Sequence, residues 1–330
     1  MYTTKYHDTD LSKYSFLVTG GAGFIGSNIV EYLLKYGAKK VRVLDNLSNG
    51  YYHNIKEFET NAAFEFIEGD ICNLDTCKKA MEGIDYVSHQ AALGSVPRSI
   101  DNPINTDSTN SGGFLNMLVA LKDSHTVKRM VYAASSSTYG DSKILPKVED
   151  NIGKPLSPYA VTKLVNELYA DVFAKTYQTD TIGFRYFNIF GPKQSPNGAY
   201  AAVIPLFMQA LVDDKAPTIN GDGEQTRDFT FVENAVQANI RGMFADKKAG
   251  NEVYNIACGD RVSLNTLWDS LETVSKKKLK PNFGPDRRGD VRDSLANISK
   301  ANNLLAYKPL FDINKGLAIT FKWFKENQSK

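Results

Sequence analysis

The chain has 330 residues, 42% hydrophobic and 23% charged, an ordinary globular composition with length enough for two lobes. A formal charge of +2 without a large Lys/Arg block gives no basis for nucleic-acid binding, and the longest basic run, Lys276-Lys277-Lys278 with Lys280, reads as a solvated face. Cys72, Cys77 and Cys258 cannot all pair and lack metal-site spacing, no window nears the roughly 18 apolar residues of a membrane span, and MYTTKYHDTDLSKY lacks the apolar core of a signal peptide; a reduced, cytoplasmic protein without a metal or membrane association is expected.

Residues 1–14 read as an extension before the first strand, free to fray or to pack on the surface. SFLVTG (15–20) reads as a strand and SNIVEYLLKYG (27–37) as a helix closed by Gly37. Strands follow at 40–46, at 63–70, where apolar and polar residues alternate before a Gly-Asp turn, at 84–92 and at 128–135, with a helix near 111–123. This alternation predicts an α/β, doubly wound parallel sheet of Rossmann type over residues 15–187. After about residue 185, Gly and Pro become frequent (FGPKQSPNG, INGDGEQ, PNFGPDRRGD), which predicts a smaller, loop-rich α/β lobe over 188–330, with segments able to return to the sheet. TIGFRYFNIF (181–190) reads as one more sheet strand, so that boundary is soft.

The first strand runs into TGGAGFIGSN, which spaces Gly20, Gly23 and Gly26 as G-x-x-G-x-x-G. Gly20 suits a tight turn, Gly23 close approach to a pyrophosphate, and Gly26 the packing of helix on strand, while the helix N-terminus points its N–H groups at the phosphates. Asp45 ends the next strand, at the spacing from Gly26 where a carboxylate binds ribose hydroxyls and favours NAD over NADP; otherwise it is a turn-forming Asp in DNLSNG. In SPYAVTK, Tyr159 and Lys163 stand four apart on one helix face behind Pro158, so an ammonium lies near a phenol. That neighbour lowers the phenol pKa and makes Tyr159 a credible general acid or base for a hydroxyl. Ser135, Ser136 and Ser137 follow an apolar strand; strand alternation puts Ser135 and Ser137 on one side and Ser136 on the other.

TGGAGFIG, Asp45-Asn46, GDI (69–71), HQAA (89–92), SSSTYG, YAVTK, RYFNIFGP and RDFTFVEN (227–234) together resemble the extended short-chain dehydrogenase/reductases, over nearly the whole chain. HQAALGSVPRSI and PNGAYAAVIP are most similar to the bacterial UDP-N-acetylglucosamine 4-epimerases within that family. The resemblance implies 4-epimerisation of UDP-N-acetylglucosamine to UDP-N-acetylgalactosamine. Tyr159 takes the proton of the sugar 4-hydroxyl while C4 is oxidised by tightly bound NAD, the 4-keto sugar turns over, and reduction on its other face regenerates the cofactor. Lys163 tunes Tyr159, and Ser135 bridges the 4-oxygen and Tyr159, with Ser137 the likelier second contact and Ser136 left for the N-acetyl group or the backbone.

It also implies NAD contacts at Gly20, Gly23, Phe24, Ile25, Gly26, Asp45, Asn46, Ser48, Gly50, Asp70, Ile71, Gln90, Ala91, Ala92, Asn110, Tyr159, Lys163 and Tyr186. Phe24 and Ile25 would serve equally as helix-entry packing, Asn110 as a cap, and His89 as a strand-end histidine. For the nucleotide sugar it points to Asn188, Arg227, Arg287 and Asp290, to the segment 217–223 for uridine, and to Ser95, Ala202 and Val203 around the sugar. Ser294 stands where a bulky residue would crowd the sugar 2-substituent, which leaves room for N-acetyl. The Asp-Glu pair with which related 4,6-dehydratases eliminate water is replaced by Ser136 and Ser137. UDP-N-acetylglucosaminuronic acid, with Arg98 meeting its carboxylate, and UDP-glucose are alternative substrates; a non-catalytic NAD-binding protein is opposed by the intact Ser135/Tyr159/Lys163 set. A homodimer through helices near 108–122 and 158–176 is implied as well.

Overall fold

The computed structural model describes residues 1–197, 201–285 and 292–327. Its central sheet has seven strands: β1 (Ser15–Thr19), β2 (Lys40–Asp45), β3 (Phe64–Glu68), β4 (Tyr86–His89), β5 (Arg129–Ser135), β6 (Thr181–Tyr186) and β7 (Glu252–Ile256). All run parallel, in the spatial order β7-β6-β5-β4-β1-β2-β3. The longer helices are α1 (Phe24–Lys35), α2 (Leu74–Met81), α3 (Gly113–Asp123), α4 (Pro158–Tyr177), α5 (Val203–Val212), α6 (Val232–Met243), α7 (Leu264–Ser275) and α8 (Ile313–Glu326).

β1 is apolar at successive positions because both faces of the sheet are covered there, while the edge strand β3 alternates. In β1, Phe16 and Val18 pack with Ile29 and Leu33 of α1 and Val236 and Ile240 of α6. Leu17 points the other way, into a core with Cys77 of α2, Phe114 and Leu118 of α3 and Phe173 of α4. This is the doubly wound, Rossmann-type arrangement expected. A third core (Phe207, Phe231, Trp268, Leu271, Leu317, Phe321) holds α5, α7 and α8 beside the sheet. Among the described residues no helix is long and apolar enough to cross a membrane.

The strand expected over 181–190 divides. β6 stops at Tyr186, Asn188 takes φ +36°, and Ile189–Phe190 pairs instead with Thr230–Phe231. Asn tolerates positive φ better than most residues, so it turns the chain out of the sheet there. The chain returns as β7, beside β6.

Residues 1–14 pack rather than fray. Tyr2 and Tyr6 are buried against α1 and α6; Tyr2 Oη donates to Asn28 Oδ1 (2.6 Å), and the Tyr2 amide and Tyr6 Oη both donate to Glu233 Oε1 (3.0 and 2.8 Å).

Candidate active site

The strand order reverses between β1 and β4, and ligands bind outside the carboxyl ends of strands at such a point. Gly20 follows β1 with φ +67°, and a Cβ there would lie 2.6 Å from the Ala91 nitrogen, on the segment that follows β4. A Cβ at Gly26 would overlap the Gly20 carbonyl oxygen, so this glycine lets α1 close on the loop. At Gly23 a Cβ would meet the Gly20 oxygen at 3.1 Å and nothing else within 4 Å, so the glycine leaves open space toward the cavity. Gly23 caps α1 without a side chain, which leaves the helix N–H groups free for an anion.

These residues line a cavity of about 550 Å³. Asp45 is in its wall, with Oδ2 accepting from the Ala22 amide and Oδ1 from the Leu47 amide, both at 2.9 Å. Burial raises its pKa and the two amides oppose that. Phe24, Ile25, Asn46, Ser48, Gly50, Ile71, Gln90, Ala91, Ala92, Tyr159, Lys163 and Tyr186 share the cavity. An open glycine cradle, a bare helix N-terminus and a buried carboxylate at the end of β2 fit a dinucleotide with free ribose hydroxyls, which is NAD.

Lys163 and Tyr159 reach this cavity from the first turns of α4, whose N-terminus is set by the Ser157 cap and Pro158. Lys163 Nζ donates to the Ala133 carbonyl (2.7 Å) and lies 6.0 Å from the Tyr159 ring centre. Burial pushes Lys163 down to about 8, partly opposed by the Glu167 carboxylate. Burial raises Tyr159 above the usual phenol range, against the lowering expected from Lys163, and the Ser135 hydroxyl opposes that rise by favouring the phenolate. His89 is buried with Nδ1 2.8 Å from Thr19 Oγ1; burial and then the Lys163 charge push it down to about 3, so it is a neutral strut.

Ser135 ends β5, and Ser136–Tyr139 form a 3-10 turn, so strand alternation stops one residue before it would have separated the serines. Ser135 Oγ accepts from the Ser137 amide (3.2 Å) and hydroxyl (2.9 Å). All three serines line a second cavity of about 210 Å³, with Asn188, Arg227 and Ser294. Ser135 and Asn188 belong to both walls. Asp228, buried beside Arg227, accepts from the amides of Cys258, Gly259 and Ala296 and so fixes the loops that carry Arg227 and Ser294.

Several expected residues stand elsewhere. Asn110 lines neither cavity; it is buried, donates to the Leu93 carbonyl and Thr162 Oγ1, and accepts from the Leu93 amide. Asp70 is also outside both walls, engaged by Asn46 Nδ2 and the Cys72 amide. Ser95 and Ala202 line the larger cavity rather than the smaller, and Val203 opens α5 and packs with the second-lobe core. Thr218–Asn220, in the expected uridine segment, pairs with Asn282–Gly284. Arg98 lines the larger cavity, where its guanidinium donates to Asn49 Oδ1 (3.1 Å). Arg287 and Asp290 lie outside the described residues. Lys147, Phe187 and Asp293 are wall residues of the smaller cavity that the sequence did not single out.

Comparison with known proteins agrees with this geometry. Residues 16–257 match the NAD dependent epimerase/dehydratase family. The UDP-glucose 4-epimerase of Mycolicibacterium smegmatis is 33% identical over 94% of this chain and 98% of its own length. The solved UDP-N-acetylglucosamine 4-epimerase from Methanobrevibacter ruminantium, in complex with UDP-N-acetylmuramic acid, superposes with a TM-score of 0.90 and 37% identity over 95% of this chain and 98% of that one. The UDP-glucuronic acid 4-epimerase of Bacillus cereus, in complex with UDP-glucuronic acid and NAD, gives a TM-score of 0.88 and 33% identity over 94% and 99%.

Proposed function

The chain belongs to the NAD dependent epimerase/dehydratase family, and from that membership we propose that it epimerises UDP-N-acetylglucosamine at C4, giving UDP-N-acetylgalactosamine. The observation that carries this reading is the common wall: Ser135 stands between the cavity that fits NAD and the smaller cavity edged by Arg227 and Ser294. Bound NAD supplies the oxidising equivalent for chemistry at a carbinol carbon. Tyr159 takes the proton of the 4-hydroxyl as C4 is oxidised and returns it when C4 is reduced on its other face. Lys163 stabilises the phenolate, and Ser135 holds the 4-oxygen. Arg227 offers a guanidinium to the diphosphate, with Arg287 of the expected set as the second fork.

Two features support epimerisation of an N-acetylated sugar. Ser136 and Ser137 occupy the wall where a dehydratase needs an acid–base pair, and the wall carboxylate, Asp293, accepts from Thr226 Oγ1 (2.6 Å). Ser294 is small and leaves space beside the serines for the acetamido group. Purified protein incubated with UDP-N-acetylglucosamine without added NAD is expected to form UDP-N-acetylgalactosamine, read by chromatography. No product there, nor after NAD is added, would sink the activity.

The reading extends to a homodimer. Val161, Leu168, Tyr169 and Val172 leave an exposed apolar stripe on α4, and Ile100 and Ile104 are exposed on the neighbouring short helices Val96–Asp101 and Pro103–Asp107. A second copy meeting this face would build a bundle of paired helices.

A further inference from the structure

Lys147 is 5% exposed, yet it has no carboxylate within 4 Å among the described residues. Its Nζ donates to the Ser142 carbonyl and lies 6.0 Å from the Tyr139 ring centre. The backbone is clamped on both sides: the Lys147 amide donates to the Leu295 carbonyl (2.7 Å) and its carbonyl accepts from the Asn297 amide (2.9 Å). This clamp holds the side chain in the wall of the smaller cavity, with the three serines and Ser294. Asp293, in the same wall, is engaged by Thr226 and lies 3.8 Å from Arg261.

A buried ammonium loses its hydration, and a lone carbonyl dipole replaces little of it; such charges are ordinarily paired. Burial holds Lys147 below the usual lysine range. A cation with no counter-charge among the described residues, in a substrate wall, favours a substrate that brings one.

We propose that Lys147 is a specificity-determining residue that recognises a carboxylate carried by the sugar, so that the site accepts acidic N-acetylhexosamines as well as the neutral one. This rests on the reading of the smaller cavity as the sugar site. Arg98, expected from sequence to meet such a carboxylate, lines the other cavity and reaches Asn49. The carboxylate has two chemical sources, oxidation at C6 or a lactyl ether at O3, and they place it differently around the ring.

The test uses the full chain with bound NAD, as wild type, Lys147→Met and Lys147→Arg. UDP-N-acetylglucosamine, its C6 carboxylate and UDP-N-acetylmuramic acid are compared by kcat/KM where turned over and by calorimetric Kd in every case. In K147M the acid-to-neutral ratio of affinities is expected to fall about 30-fold or more for one acid, mostly through KM, and K147R is expected to restore part of it. The acid whose ratio falls identifies the source. Parallel loss for acid and neutral sugar, or a ratio within about threefold of wild type for both acids, overturns the proposal. K147Q keeps a donor toward Ser142 and carries the same expectation should K147M fail to fold. If wild type binds these nucleotides without epimerising any, the catalytic reading fails, and the Kd ratio alone still decides the role of Lys147.

Discussion

Lys163 is the residue at which stability and chemistry are most opposed. Its folded pKa, pushed down to about 8, lies below the ordinary lysine value, so the folded state binds this proton less tightly than the unfolded chain. Stability therefore rises with pH between about 8 and the usual lysine range, and below 8 the full cost of burying the ammonium is present. Lys163→Met is expected to raise the melting midpoint at pH 7 by a few degrees, checked by calorimetry, while kcat falls about 10²-fold or more. At this scale the glycines, Asp45, Tyr159 and Lys163 were readable because their spacing is local. Lys147 was not, because its place depends on a bridge to Ala296, in the other half of the chain. The resemblance gives Asn110 as a cofactor contact or a cap; sequence position does not say which way a buried amide turns, and here it turns to Leu93 and Thr162.

Among elements, α1 is bound at its start and along its length. At its start the Gly26 α-carbon sits against Gly20, where an added methyl would run into backbone. Gly26→Ala is expected to open the loop and cost about 1–3 kcal/mol, and the purified variant should carry much less NAD, measured by absorbance after denaturation. Along its length, Tyr2 and Tyr6 tie α1 to Glu233 of α6. The sequence hid this because a polar, tyrosine-bearing segment has no strand or helix period to read. On α4 the spacing of Val161, Leu168, Tyr169 and Val172 is helical, yet all four are exposed. Introducing two charges as Leu168→Glu with Val172→Glu is expected to convert the proposed dimer to a monomer in light scattering; an unchanged mass would remove this face from consideration.

For the whole molecule, the doubly wound sheet was legible from alternating strand and helix periods, and so was the ability of later segments to return to it, while which segments return was not. β7 and α6 come from the loop-rich half of the chain and complete the sheet and one of its covering layers. Their burial is decided by partners remote in sequence, over separations at which local pattern carries no information. The order of synthesis makes this matter. β6 ends at Tyr186 and the strand that covers its edge begins at Glu252, so the whole stretch 187–251 is made while that row of N–H and C=O groups has no neighbour. At ribosomal rates of about 5–20 residues per second the edge stays open for roughly 3–13 s. During that interval a nascent chain offers neighbouring chains a strand to pair with, so the yield of folded protein is expected to fall as polysomes become more crowded.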